Sequence, residues 1–138
     1  MKYKYLLPVL SLTLCGFLLL TSCGGSSTGP DNNGQPSTPK NLSGTSGDQQ
    51  IQLSWDANSE DDLAGYNLYR STSSFSDISG MDPVNGGNVI SNPEFTDTNL
   101  KNGTTYYYRI TAVNNNDEES NASSQLEITP FSDPPDRP

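Results

Sequence analysis

The chain has 138 residues, 31% of them hydrophobic and 17% charged, and carries a formal net charge of −9 with no histidine. That length holds one ordinary domain with flanking segments and excludes a multidomain enzyme. Without histidine the commonest general acid/base, the commonest metal ligand and every Ser-His or Cys-His nucleophile pair are gone, so the composition points away from catalysis.

In chain order the first element is a leader. Lys2 and Lys4 precede an apolar run of 15 residues from Leu6 to Leu20. Such a run suits the h-region of a secretory signal and falls short of the ~20 residues a bilayer-spanning helix needs. It ends in Leu20-Thr21-Ser22-Cys23, followed by Gly24, Gly25 and Ser26. This junction resembles the lipobox of bacterial lipoproteins; a plain secretory signal with an incidental cysteine is the competing reading. The resemblance implies removal of residues 1–22, acyl chains such as palmitate on Cys23, and a lipid anchor in the bacterial envelope. Gly24 rather than Asp after the cysteine points to the outer membrane of a two-membrane cell. Cys15 would leave with the leader, so no thiol would remain for a disulfide, a metal site or redox chemistry. Lys2 and Lys4 leave too, making the mature chain two charges more acidic. The five other basic residues, Lys40, Arg70, Lys101, Arg109 and Arg137, are scattered, which excludes nucleic acid as a partner.

Residues 23–37 form a Gly/Ser/Pro-rich stretch with almost no apolar side chain and read as a tether. Its length holds the next part of the chain on the order of 20 Å from the lipid. Residues 131–138 are proline-rich without strand pattern and read as a tail. Between them, residues 38–130 read as a single all-β domain. Ile51, Leu53 and Trp55 alternate with polar residues, and a period of two recurs at Tyr66/Leu68 and at Tyr106/Tyr108/Ile110/Ala112. Turn-forming clusters separate these runs at 44–48, 56–62, 80–88, 99–103 and 114–120. Two antiparallel sheets packed face to face would bury the apolar rows.

The order of these signals resembles the fibronectin type III family: Pro39 and Leu42 on a first strand, Trp55 closing the second, and Tyr66 and Leu68 on the third. Phe95 follows, then Leu100, Gly103 and Tyr106 lead into a long strand. The resemblance implies a seven-stranded antiparallel immunoglobulin-like β-sandwich, with Trp55 as the core indole. It also implies that Leu100-x-x-Gly103-x-x-Tyr106 forms a tyrosine corner, a phenol bonded to nearby backbone. The stretch from Ser71 to Asn92 is long for that pattern; Val89 and Ile90 are the expected strand within it.

Glu60, Asp61 and Asp62 are adjacent carboxylates, but calcium loops alternate their oxygens and glycosidases oppose theirs across a cleft, so neither chemistry fits. No cofactor or metal is expected. With Tyr106 and Tyr108 inward, Tyr107 points out beside Arg109, and Tyr69 leaves the face opposite Tyr66 and Leu68. Two readings of this pair stand: a platform that stacks on a sugar ring or a protein partner, or cross-strand packing on a solvated face. The functional expectation is a non-catalytic, monomeric, lipid-anchored module that binds an envelope protein or polysaccharide. Its alternative is an inert spacer.

Overall fold

The computed structural model describes residues 34–132. The expected leader 1–22, Cys23, the tether as far as residue 33 and the tail from residue 133 lie outside the described residues. Alternating burial at Ile51, Leu53 and Trp55 gives β2, Gln50–Ser54, one face toward the core. It lies between β1, Ser43–Gly47, and β4, Glu94–Asp97, in an antiparallel sheet of order β1-β2-β4. The second sheet has the order β3-β5-β6, from Leu63–Ser71, Tyr106–Asn114 and Leu126–Ile128. The two sheets enclose Ile51, Leu53, Trp55, Tyr66, Leu68, Leu100, Tyr106, Tyr108, Ile110 and Ala112. Trp55 meets Tyr66 edge to face, centroids 5.2 Å apart, the arrangement favoured by ring quadrupoles.

A seventh strand is reduced to one residue. Ile90 forms an isolated antiparallel bridge with Tyr66, each accepting the other's N–H at 3.0 and 2.9 Å. Gly65 makes the bridge possible: a Cβ there would stand 2.7 Å from the Ile90 carbonyl oxygen, beside the bulge that shifts the β3 register between Leu63 and Gly65. The long 71–92 segment continues along the same edge. Val84 N–H donates to Leu68 O at 2.7 Å, and the Asn85 side chain accepts the Leu68 N–H at 2.9 Å. Side chain and loop thus occupy an edge that would otherwise expose unpaired backbone groups.

Two expectations shift at the N-terminal strand. The first strand begins after Pro39 and Leu42, which respectively lie buried and pack against the core from the preceding segment. Gly44, read as part of a turn, sits inside β1, where a Cβ would meet Ile128 and Leu126 at 3.1 Å and Leu53 at 3.3 Å. The segment SGTSG has little intrinsic strand preference. It is a strand because β2 pairs with all five of its residues and because glycine lets β1 approach β6.

The other end of the chain uses hydroxyls as backbone. Ser120 and Ser123 donate their N–H groups to Ala112 O and Ile110 O at 2.9 Å each, and their Oγ atoms accept the N–H groups of the same two residues at 2.9 and 3.1 Å. An irregular last strand therefore satisfies the buried edge of β5 until regular pairing resumes at Leu126. Pro130 is buried, so the tail leaves after it.

Candidate binding face

The period of two places Tyr107, Arg109 and Thr111 of β5 on the face away from the core, in register with Ser71, Tyr69 and Asn67 of β3. The exposed tyrosine pair expected there does not form. Tyr69 is only 5% exposed, and its hydroxyl donates to Glu119 Oε1 at 2.8 Å. Asn67 donates to the same oxygen at 3.2 Å, and the Thr111 hydroxyl makes a third bond to it. Glu119 comes from the turn after β5, held by its own bridge to Val113. Tyr107 is half-buried, between Ser71 and Glu127 in register.

Beside it, Phe75 folds back from the long segment onto β5. The Arg109 guanidinium lies 5.9 Å from the Phe75 ring centre and donates to Phe75 O and Ser123 O, while Gln125 accepts the Phe75 N–H at 2.8 Å. The outward face is thus a second, polar packing layer.

Burial and the hydrogen bond to Glu119 push the Tyr69 hydroxyl well above the ordinary phenol range. Burial and the bond to Asp97 do the same for Tyr108. Both groups stay protonated in the fold, whereas the unfolded chain ionises near pH 10. Their stabilisation is therefore complete below about pH 10 and is lost as pH rises toward the folded values. Denaturant midpoints are expected to fall from about pH 10 upward, with two tyrosines ionising only on unfolding when followed by tyrosinate absorbance.

The core positions named by the sequence come together. Tyr66 and Leu68 are buried with Trp55, and the Tyr66 hydroxyl accepts the Asn58 N–H at 2.8 Å. The Tyr106 hydroxyl accepts the Lys101 N–H at 3.0 Å; Leu100 is buried, and Gly103 takes the turn between them at φ 77°. Sequence reasoning missed Asp97, Glu119 and Asn114. Asp97 accepts Arg70 through both oxygens at 2.8 Å and the Tyr108 hydroxyl at 2.7 Å. Asn114 is 1% exposed and organises the last turn: its Oδ1 accepts the N–H groups of Asn116 and Glu118, and its amide donates to Glu118.

What remains open on this side is a groove of about 500 Å³ between the 82–89 segment and the last turn, lined by Asn67, Asp82, Val89, Val113, Asp117 and Glu119 among others. The exposed Asp82 and Asp117 carboxylates offer acceptors to a ligand rich in hydroxyl or other donor groups, while Asn67 and Glu119 Oε1 are held by Asn85, Tyr69 and Thr111. Among the described residues no three His, Cys, Asp or Glu side chains are placed to hold a metal ion.

The family model of the fibronectin type III domain matches residues 37–129. The chain belongs to the fibronectin type III family. It is also similar to an amylopullulanase of Thermoanaerobacter thermohydrosulfuricus, 35% identical over 121 residues that cover 83% of this chain and 7% of that enzyme. The chain thus spans less than a tenth of such relatives. Among solved structures, an Fn3-like protein from Clostridium thermocellum aligns with TM-score 0.52 and 26% identity, over 74% of this chain and 98% of that one. A β-1,2-glucanase from Parabacteroides distasonis contains the same fold, with TM-score 0.52 and 23% identity over 71% of this chain and 13% of the enzyme. Fibronectin type III domains of this kind are generally non-catalytic accessory modules.

Proposed function

We propose that this chain is a non-catalytic, lipid-anchored bacterial envelope protein that presents one fibronectin type III module for polysaccharide or protein binding. The observation that carries the reading is the similarity to a segment under a tenth of the length of amylopullulanases, enzymes in which the module accompanies the rest of the chain. Here Cys23 would supply the anchor, and the groove at Asp82, Asp117 and Glu119 would supply the contact in place of a tyrosine platform.

The test is a pull-down from solubilised envelope, together with binding to soluble polysaccharides, pullulan included. The bait is the mature chain carrying Cys23→Ser. Asp82→Asn with Asp117→Asn is the groove control, since both positions are exposed and Asn tolerates the positive φ of residue 117. A partner lost in the control places the contact in the groove; one retained there but lost with Tyr107→Ser restores the sheet face. Tyr69 is unsuitable as a probe, because replacing it empties a buried site.

A specific observation favours the spacer reading as the alternative. The chain enters against Asn114 and leaves past Gly103, at opposite ends of β5. A well-folded bait with no partner in either assay would select it.

A further inference from the structure

The last four residues of the stretch read as a tether are part of the domain. Gly34 O accepts the Asn114 side-chain amide at 3.0 Å, and Pro36 is fully buried. The Ser37 N–H donates to Glu60 Oε1 at 2.8 Å, and Ser37 O accepts the Asn58 amide at 2.7 Å. This seat joins the β2–β3 loop to the turn after β5, which are themselves tied by Asn115 N–H to Asp62 O at 2.8 Å. At the far end, the Gly103 N–H donates to Pro130 O at 2.8 Å, and the Thr105 and Thr129 hydroxyls meet at 2.9 Å. Between the two exits runs β5, nine residues long. At about 3.3 Å per residue they are separated by roughly 25–30 Å.

The pole at the entry carries Asp56, Glu60, Asp61, Asp62, Asp117 and Glu118 against Lys40. From Cys23 to Gly34 there are eleven Cα steps, a covalent reach of at most about 40 Å. An anchor at Cys23 therefore joins the module to the bilayer at its entry pole, and the far pole stands off from that point by the length of the domain. The carboxylates of the entry pole repel anionic headgroups within a Debye length of about 8 Å, so this pole stands off from an anionic surface rather than resting on it.

We infer that residues 34–37 are a built-in mount, which turns the pole of the 56–62 and 114–118 loops toward the lipid. The pole of Asp48, Gln49 and residues 99–103 then faces away. The inference rests on the lipid anchor proposed above. The groove at Asp82, Asp117 and Glu119 would then open on the flank near the lipid-facing pole, and a partner bound there would approach from the side of the module rather than at its far pole.

The full acylated chain, reconstituted in vesicles of phosphatidylcholine and phosphatidylglycerol with a headgroup acceptor dye, tests it. A donor is attached at Asn115→Cys or at Lys101→Cys, both exposed positions at opposite poles. Transfer is expected to be strong from residue 115 and to report a distance roughly 25–30 Å longer from residue 101. Equal transfer, or the reverse order, overturns the assignment. Cys23→Ser separates this failure from that of the anchor: if it partitions to vesicles as the parent does, the lipid reading falls and the orientation with it. The seat has its own readout. Amide exchange at Ser37 should be slow in the parent and fast in Glu60→Gln with Pro36→Gly; fast exchange in the parent removes the mount whatever the state of Cys23.

Discussion

Asp97→Ala is expected to lower the free energy of unfolding by about 3 kcal/mol, at the low end of the range for breaking one side of a buried ion pair. Arg70 and Asp97 sit on facing sheets, and both point inward: Arg70 continues the buried row of Tyr66 and Leu68, while Asp97 pairs with Ile51. The bond therefore crosses the sandwich. Removing the carboxylate strands the guanidinium over the Tyr106 ring, 5.7 Å from its centre, and leaves the Tyr108 hydroxyl without its acceptor. The low end applies because the Arg70 side chain is one-third exposed and can rehydrate. Chemical denaturation of Asp97→Ala, Arg70→Met, Tyr108→Phe and their combinations checks this. The triple Asp97→Leu/Arg70→Met/Tyr108→Phe variant should recover most of the loss, since a matched apolar replacement leaves no polar group unpaired. A single Asp97→Ala within about 0.5 kcal/mol of the parent, the range of ordinary surface substitutions, would show that the pair contributes nothing.

That pair also marks how far the sequence can be read. The alternation of strands is a local signal, and it placed Trp55, Tyr66, Leu68, Tyr106 and Tyr108 inside; the corner from Leu100 through Gly103 to Tyr106 was implied by the resemblance to the fibronectin type III family. Continued by one step, the same alternation puts Arg70 and Asp97 on inward positions, so opposite charges at two such positions were the available clue to the bond. The remaining departures depend on contacts distant in sequence. Tyr69 lies on the outward side of β3, as its parity requires, yet Glu119, fifty residues on, caps its hydroxyl. Phe75 lies in a segment rich in Gly and Ser, and only the meeting with Arg109 and Gln125 gives it a place. SGTSG becomes a strand through its neighbours, and the residues at 34–37 leave the tether because Glu60, Asn58 and Asn114 happen to meet them. An alternation pattern assigns faces; it carries no information on what a long connection will lay across a face.

The second large effect is expected at Trp55. Trp55→Ala should cost about 3–5 kcal/mol, the range for emptying a large aromatic site that neighbours only partly refill. Trp55→Phe should cost less, about 1–2 kcal/mol, because the phenyl ring keeps most of the apolar contact and leaves a smaller cavity. The contrast also reflects the indole nitrogen, which is buried with no hydrogen-bond partner among the described residues. A phenyl ring gives up volume there but no bond, and it relieves an unpaired donor. Loss of the ring altogether reaches further, because Trp55 braces Tyr66 edge to face and the Tyr66 hydroxyl holds the Asn58 N–H. Asn58 in turn grips Ser37. Amide exchange at Asn58 and Ser37 should therefore rise in Trp55→Ala beyond the change at β5, and stay near the parent in Trp55→Phe. Exchange that rises evenly over the whole domain would mean that Trp55 supports the core alone, with no separate hold on the loop that seats the incoming chain.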